Sequence, residues 1–365
     1  MSRDNWGLLG HEWAVNMLQQ QIQHDNIRHA YLFTGPPGVG KRSLALRFTQ
    51  ALNCPQPPAP GDACRNCRTC QQVEKMQYPN LSVVQAEREG GTLEVEQIRQ
   101  VQYNLSLSPY QDRYRVALFL RFQEAQFSSK FSAANALLKT LEEAPAHVVL
   151  MLTADSPEQL LPTVVSRCEV LRLRPLPVAN LQTLLEGRGE EKDNARLLAH
   201  LSGGRPGLAL RLQTDPDGLT ERTRRLDDLE RLLSVGIVDR FAYAERLARP
   251  DKKKTGETEK TSEGDETGSM RNVHIRRVLT AWCSYWRDVL LLCTDARTDV
   301  VNIDRVEGIH TLAEKIDLLA ARRLVSALDK AVDSLDRNIN ARLLLEGVLL
   351  DWPHMDVRAV REGSE

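Results

Sequence analysis

The chain has 365 residues, of which 42% are hydrophobic and 27% charged, and its formal net charge is -1. A chain of this length is too long to form a single hydrophobic core of ordinary size, so we predict two or three domains. The composition is typical of a soluble globular protein. The sequence contains no apolar run long enough for a membrane helix and no signal-peptide pattern, so we expect a cytoplasmic protein without membrane contact. With so small a net charge, any nucleic-acid contact requires a local basic surface.

The first predicted elements surround a glycine-rich segment. Residues 14–27 have apolar side chains at helical spacing, residues 29–35 form a short apolar run, and residues 41–53 again have a helical pattern. We therefore predict the order helix, strand, helix. The glycines lie between the strand and the second helix, which is the context that a phosphate-binding loop requires.

This segment nearly matches the phosphate-binding P-loop pattern G-x-x-x-x-G-K-[ST]. The loop cradles phosphate with backbone N–H groups and a lysine, and the hydroxyl after the lysine normally binds Mg²⁺. Here the residue after the lysine is an arginine, which cannot coordinate Mg²⁺, and the serine comes one place late. The pattern indicates phosphate-binding ancestry, leaves ATP binding open and argues against hydrolysis. The candidate loop comprises Gly35, Pro36, Pro37, Gly38, Val39, Gly40, Lys41, Arg42 and Ser43.

Further strands and helices alternate through the first half of the chain. Apolar runs predict strands within residues 80–86, 114–122, 147–155 and 168–176, and helical patterns cover residues 95–105 and 132–144. This alternation predicts a parallel α/β sheet with helices on both faces. After the second of these strands, an ATPase would carry an acidic cluster, but the sequence reads QEAQ and has Glu124 as its single acid.

Four cysteines lie close together after the second helix. Cys54, Cys64, Cys67 and Cys70 have the spacing C-x9-C-x2-C-x2-C, in a polar segment rich in proline. Four thiolates suit a closed structural zinc site, and the metal would supply folding energy that this segment lacks. An iron–sulfur cluster and four unrelated buried cysteines are the alternatives.

The tripeptide Ser166–Arg167–Cys168 precedes the last predicted strand. One interpretation of Arg167 is an ordinary surface ion pair. The other is an arginine finger, which stabilises negative charge on a phosphate held by a neighbouring subunit.

The remainder of the chain has mostly helical patterns. Residues 251–269 have no aliphatic or aromatic side chain beyond the threonine methyls, so we predict a disordered loop there. Near the C-terminus, Leu324, Leu328, Val332, Leu335 and Ile339 form an apolar stripe. Such a stripe serves either an internal core or an oligomer interface.

Several of these segments, in this order, resemble the clamp-loader branch of the AAA+ ATPases, and within it the delta-prime subunits of bacterial DNA polymerase III. They are GHEWAVNMLQQQI, HAYLFTGPPGVGK, the four cysteines, NALLKTLEE, SRC and NINARLLLEGVLLDW. The resemblance implies an ATPase-like domain over residues 1–175 with a zinc module at 54–70. A helical lid follows at 176–216, and an all-helical collar for oligomerisation covers 217–365.

The resemblance also implies a function. Delta-prime subunits commonly have a degraded nucleotide site and lend the SRC arginine, here Arg167, to an adjacent gamma subunit. The expected partners are gamma/tau and delta subunits, with the sliding clamp and primed DNA reached through the complex. The expected cofactor is structural zinc, and whether the chain alone is an enzyme stays open. The alternatives are an active gamma/tau-like ATPase and, ranked lowest, a zinc-dependent nucleic-acid-binding module.

Overall fold

The computed structural model describes residues 5–86, 93, 95–106, 114–126, 132–249, 263–294, 298–335 and 340–355. The chain divides into two compact units, residues 1–210 and residues 211–365. Among the described residues, no helix combines the length and the apolar character needed to cross a membrane. The division of the first unit into an ATPase-like part and a lid remains a prediction.

The first unit is built on a parallel sheet, as the alternating sequence pattern predicts. In the described residues it has five strands in the order β2–β3–β4–β1–β5, and every pairing is parallel. Both β1 and β4 are buried along their whole length because each lies between two strands and helices cover both faces of the sheet. The strands are β1 (Ala30–Thr34), β2 (Leu81–Val84), β3 (Arg115–Phe119), β4 (Val148–Ala154) and β5 (Glu169–Arg172).

Helices cover both faces of this sheet. Tyr31 and Phe33 of β1 point into the apolar layer formed with α1 and α2, whereas Leu32 between them packs in the layer with α4 and α5. This alternation is the period of two that a strand imposes on its side chains. The covering helices are α1 (Glu12–Gln23), α2 (Lys41–Asn53), α3 (Arg68–Glu74), α4 (Val95–Ser106), α5 (Ser132–Glu142) and α6 (Pro162–Val165).

Three further helices follow the last strand. They are α7 (Val178–Glu186), α8 (Lys192–Leu201) and α9 (Pro206–Thr214). A tight turn at Gly203 and Gly204 separates α8 from α9, and both glycines have positive φ. A Cβ at Gly204 would lie 1.9 Å from the carbonyl oxygen of Leu176, so only glycine allows this approach.

The second unit is helical in its described residues. Its core centres on Trp282, Trp286 and Trp352, whose rings meet edge to face. The buried Arg240 donates hydrogen bonds to backbone carbonyl oxygens, including those of Leu232 and Trp352, and so ties three segments together. The helices are α10 (Pro216–Ser234), α11 (Ile237–Ala248), α12 (Glu263–Leu292), α13 (Val306–Lys315), α14 (Leu318–Ser334) and α15 (Ala341–Leu350).

Two sequence expectations for this unit need qualification. Of the predicted disordered loop, residues 251–262 lie outside the described residues, whereas residues 263–269 are helical because α12 begins at Glu263. Apolar residues further along this helix, such as Ile275 and Val278, are buried in the core, so the helix is anchored there and extends back into the polar segment. Of the apolar stripe, Leu324, Leu328 and Leu335 belong to the internal core of the unit, and Ile339 lies outside the described residues.

Candidate nucleotide and metal sites

The P-loop joins β1 to α2, where the sequence places it. Gly35 and Gly40 have φ values of 143° and 112°, which L-residues rarely adopt. A Cβ at Gly35 would lie 2.2 Å from the carbonyl oxygen of Leu173, so the close passage of the neighbouring chain requires glycine here. His11, just before α1, makes a 2.8 Å hydrogen bond through Nε2 with the carbonyl oxygen of Val39. The loop is therefore fixed by the chain that surrounds it.

The P-loop lysine already has an anionic partner within the chain. Lys41 Nζ donates to Asp155 Oδ1 at 2.8 Å and also to the carbonyl oxygen of Gly35. The lysine side chain is 10% exposed and that of Asp155 is 33% exposed. Burial lowers the pKa of Lys41, and the hydrogen bond that its ammonium donates to Asp155 opposes that change. The ammonium that a P-loop offers to phosphate is thus neutralised by a carboxylate.

Asp155 belongs to a small polar cluster at the carboxyl end of the sheet. It follows β4 directly, and its Oδ2 accepts a hydrogen bond from Gln123 Nε2 at 3.2 Å. Gln123 lies in a 3-10 helix, Phe122–Gln126, that follows β3. The chain therefore places an amide in contact with the carboxylate that pairs with the P-loop lysine.

The single acid of the QEAQ segment is also paired. Glu124 is buried, and its Oε1 lies 2.5 Å from Nη2 of Arg121. This carboxylate is therefore paired inside the protein with an arginine three positions before it. Arg42 and Ser43 both lie on the exposed side of α2 at its first turn.

The segment after α8 lies directly on the P-loop. The backbone N–H of Leu208 donates to the carbonyl oxygen of Gly38 at 3.0 Å. A Cβ at Gly207 would lie 2.9 Å from the same oxygen, so the two backbones touch. Arg205 Nη1 also reaches the carbonyl oxygen of Pro37, at 3.5 Å. The start of α9 thus covers one side of the loop.

Sequence reasoning missed Asp155 and Arg205 as residues of this site. Asp155 could have been found, because an acid directly after a buried strand lies at the same sheet edge as the P-loop when the strands are parallel. Arg205 gives no such signal, since its position depends on how α9 packs.

The four cysteines form one cluster, as their spacing predicts. Their Sγ atoms all lie within 4.8 Å of one another. Tetrahedral zinc with Zn–S bonds of about 2.3 Å requires sulfurs about 3.8 Å apart, so the cluster has the right dimensions. Gln50 of α2 donates to the carbonyl oxygen of Cys70 at 2.8 Å, and Trp6 Nε1 donates to that of Gly61 at 3.2 Å. These contacts attach the cysteine segment to the sheet domain.

Backbone amides in the cluster point at sulfur, which favours thiolates. The N–H groups of Cys64, Cys67 and Cys70 donate to the Sγ atoms of Cys54, Cys64 and Cys67 respectively, at 3.3–3.4 Å. The amide of Cys67 is the main cause that lowers the pKa of Cys64 to about 6, whereas burial raises the pKa of Cys54 and Cys70. A cation would offset the cost of ionising the buried pair. The donor set therefore fits a structural zinc ion.

Arg167 lies at the other end of the sheet from the P-loop. Arg167 lies just before the start of β5, whereas the P-loop follows the end of β1. These two strands are parallel neighbours, with Tyr31 opposite Glu169, so their starts lie at the same edge of the sheet. The four residues of β5 span about 13 Å. Arg167 Nη1 donates to the carbonyl oxygen of Thr163 at 2.8 Å, and Nη2 pairs with Glu142 of α5. The side chain is 34% exposed, so the guanidinium is oriented by the chain yet open to solvent.

The sequence matches proteins of bacterial DNA replication. Residues 10–177 match a family described as "DNA polymerase III, delta subunit". The DNA polymerase III subunit delta' of Pseudomonas aeruginosa is 38% identical over 214 residues, covering 57% of this chain and 62% of that protein. The subunit delta' of Bacillus subtilis is 31% identical over 189 residues, covering 52% and 55%. The subunit tau of Salmonella typhimurium is 34% identical over 179 residues, covering 49% and 27%.

The chain thus spans less than two thirds of the length of each of these relatives. Among solved structures, a DNA polymerase III gamma subunit-related protein from Thermotoga maritima has a TM-score of 0.45 and 16% identity. That alignment covers 92% of this chain and 97% of the other.

Proposed function

We propose that this chain, which the matches support as a clamp-loader subunit of DNA polymerase III, is the delta-prime subunit. In this role it acts in the cytoplasm with gamma/tau and delta subunits, and supports ATP-driven loading of a sliding clamp onto primed DNA. The matches include both delta' and tau proteins, so the choice between them depends on the nucleotide site.

The ion pair between Lys41 and Asp155 is the observation that carries the proposal. A nucleotide-binding lysine must offer its ammonium to phosphate oxygens, and here a carboxylate takes that contact. Arg42 stands in place of the hydroxyl that binds Mg²⁺, and the QEAQ segment has one acid where an ATPase would carry an acidic cluster. These three features weaken phosphate binding, metal binding and water activation, so we propose that this chain does not hydrolyse ATP itself.

Arg167 is the residue through which the chain would contribute to catalysis. Its position at the far end of the sheet keeps it away from its own P-loop, and its partial exposure leaves it available to a neighbour. A guanidinium is always charged and offers a fixed fork of donors to phosphate oxygens. We propose that Glu142 and the Thr163 carbonyl orient the side chain and that a γ-phosphate in an adjacent subunit is its target.

The test compares two substitutions in the reconstituted complex. Arginine fingers are worth about 10³–10⁵ in rate in other nucleotide hydrolases. Arg167→Ala should affect one of several ATP sites in the complex. The total DNA- and clamp-stimulated ATPase rate should therefore fall by a smaller factor than the rate at that single site, and clamp loading should be impaired. Lys41→Ala should leave both rates nearly unchanged. Arg172→Ala, an exposed arginine on β5, is the matched control for a lost surface charge.

The second candidate is an active gamma/tau-like ATPase of the same complex. The observation in its favour is that the P-loop keeps its glycines, its positive-φ geometry and its lysine. Steady Mg²⁺-dependent ATP hydrolysis by the isolated chain, abolished by Lys41→Ala and unaffected by Arg167→Ala, would establish this function and reject the delta-prime assignment.

We also propose that the cysteine cluster holds one structural zinc ion and that residues 217–365 form an oligomerisation collar. The zinc would neutralise the thiolates and fix a segment that has little apolar core. Truncation near Leu212 should abolish assembly with gamma/tau and delta subunits, since it removes the whole helical unit. Deletion of residues 251–262 should leave assembly intact because this stretch has no apolar anchor.

A further inference from the structure

The second unit contains a cavity lined by arginines that no part of the proposed function uses. It has a volume of about 320 Å³ and lies among α10, α11 and α12. Four arginines line it, Arg224, Arg225, Arg231 and Arg246, together with the exposed His274. A cavity of this size accommodates a small anion with several oxygens, such as a diphosphate group.

The carboxylates of the cavity do not balance its positive charge. Two acids line it, so four arginines against two carboxylates leave a net charge of +2. Asp228 is already engaged, because it accepts hydrogen bonds from Tyr243 Oη at 3.0 Å and from Arg231 at 2.8 Å. Glu221 is shared between Arg224 at 4.0 Å and Arg225 at 3.5 Å.

Two of the arginines are held in place by an aromatic ring. The guanidinium carbons of Arg231 and Arg246 lie 5.9 Å and 5.8 Å from the centre of the Tyr243 ring. A cation–π contact orients a guanidinium without using its N–H donors, although Arg231 donates one of them to Asp228. The Tyr243 ring therefore holds two guanidinium groups at the cavity.

Arg225 adds a donor that lacks a partner. Its side chain is 13% exposed, and its buried Nε has no hydrogen-bond partner among the described residues. Such an unsatisfied buried donor carries a desolvation cost. Burial lowers the pKa of Arg225, and the nearby charge of Glu221 opposes this change.

We propose that this cavity is a binding site for phosphate groups, with Arg225, Arg231 and Arg246 as its main ligands. Guanidinium groups match the geometry of phosphate oxygens through paired N–H donors, which favours phosphate over a single carboxylate. The phosphate comes either from a free anion or from the backbone of single-stranded DNA.

The experiment uses the full chain and two probes. Titration calorimetry measures binding of inorganic pyrophosphate, and fluorescence anisotropy measures binding of a labelled single-stranded oligonucleotide. Arg246→Gln removes an exposed ligand without disturbing the core, and we expect binding about tenfold weaker or more. The double variant Arg225→Gln/Arg246→Gln should abolish it. Arg249→Gln, an exposed arginine just after α11 paired with Glu245, should leave it unchanged.

A further control separates this cavity from the P-loop. Lys41→Ala should not alter pyrophosphate affinity if the binding occurs in the second unit. If the two probes compete, the backbone of single-stranded DNA is a source of the bound phosphate. If only pyrophosphate binds, the ligand is a free anion. Either result supports a phosphate site. The proposal is overturned if neither probe binds, if the double variant binds as well as the parent, or if a hexaglutamate peptide competes as strongly as pyrophosphate.

Discussion

Replacing Asp155 with asparagine tests how far the P-loop depends on its internal ion pair. Asparagine keeps the size of the side chain but removes the charge, which leaves the Lys41 ammonium buried without its anion. Breaking one side of a fully buried pair costs about 3–5 kcal/mol, whereas exposed pairs contribute about 0–1 kcal/mol. Because Asp155 is one-third exposed, we expect a loss of about 1–3 kcal/mol in the free energy of unfolding.

Scanning calorimetry can measure this loss and its pH dependence. For a domain near 200 residues, 1 kcal/mol corresponds to about 2–4 °C, so Tm should fall by about 2–12 °C. Burial already lowers the pKa of Lys41 below its usual 10.5, and removing Asp155 lowers it further. A lysine with a depressed pKa binds fewer protons in the folded state than in the unfolded state, so stability rises with pH up to the unfolded value. The deficit should therefore be largest near neutral pH and shrink in alkaline solution.

Two comparisons make the test specific to the pair. In a double-mutant cycle with Lys41→Met, the double variant should lose less stability than the sum of the single variants. Glu158→Gln, an exposed acid 4.0 Å from Arg172, should change Tm little. Inorganic phosphate should raise Tm more in Asp155→Asn than in the parent, because the lysine is then free to bind it. Additive losses, or a deficit that is constant with pH, would show that the two side chains are not energetically coupled.

Three further outcomes follow from the described contacts. The parent should contain one zinc per chain by elemental analysis, and Cys67→Ser should lower that content while circular dichroism shows the fold retained. Gly38→Ala should lower Tm more than Gly189→Ala, since both have positive φ but only the first would bring a Cβ within 2.9 Å of another side chain. Arg240→Met should destabilise the second unit by about 3 kcal/mol or more, because several buried carbonyls lose their donor, whereas Arg249→Met at the surface should have little effect on chemical denaturation.

The sequence by itself determined the elements whose signals are local. Side-chain periodicity predicts the strand–loop–helix order and the sheet covered on both faces. The P-loop glycines indicate a turn with backbone conformations that glycine alone adopts readily. The cysteine cluster follows from spacing, because C-x2-C steps bring thiols together whatever surrounds them. The resemblance to the clamp-loader family rests on whole segments of the sequence, which periodicity does not identify.

Tertiary structure alone decided which charges meet. Lys41 and Asp155 are 114 positions apart, and Arg167 and Glu142 are 25 apart. Each pair forms because parallel strands and their helices bring distant residues together. The arginine cavity likewise depends on three helices packing around Tyr243. Local sequence patterns encode backbone conformation and burial, whereas an ion pair between distant residues depends on how the strands are ordered in the sheet and how the helices pack.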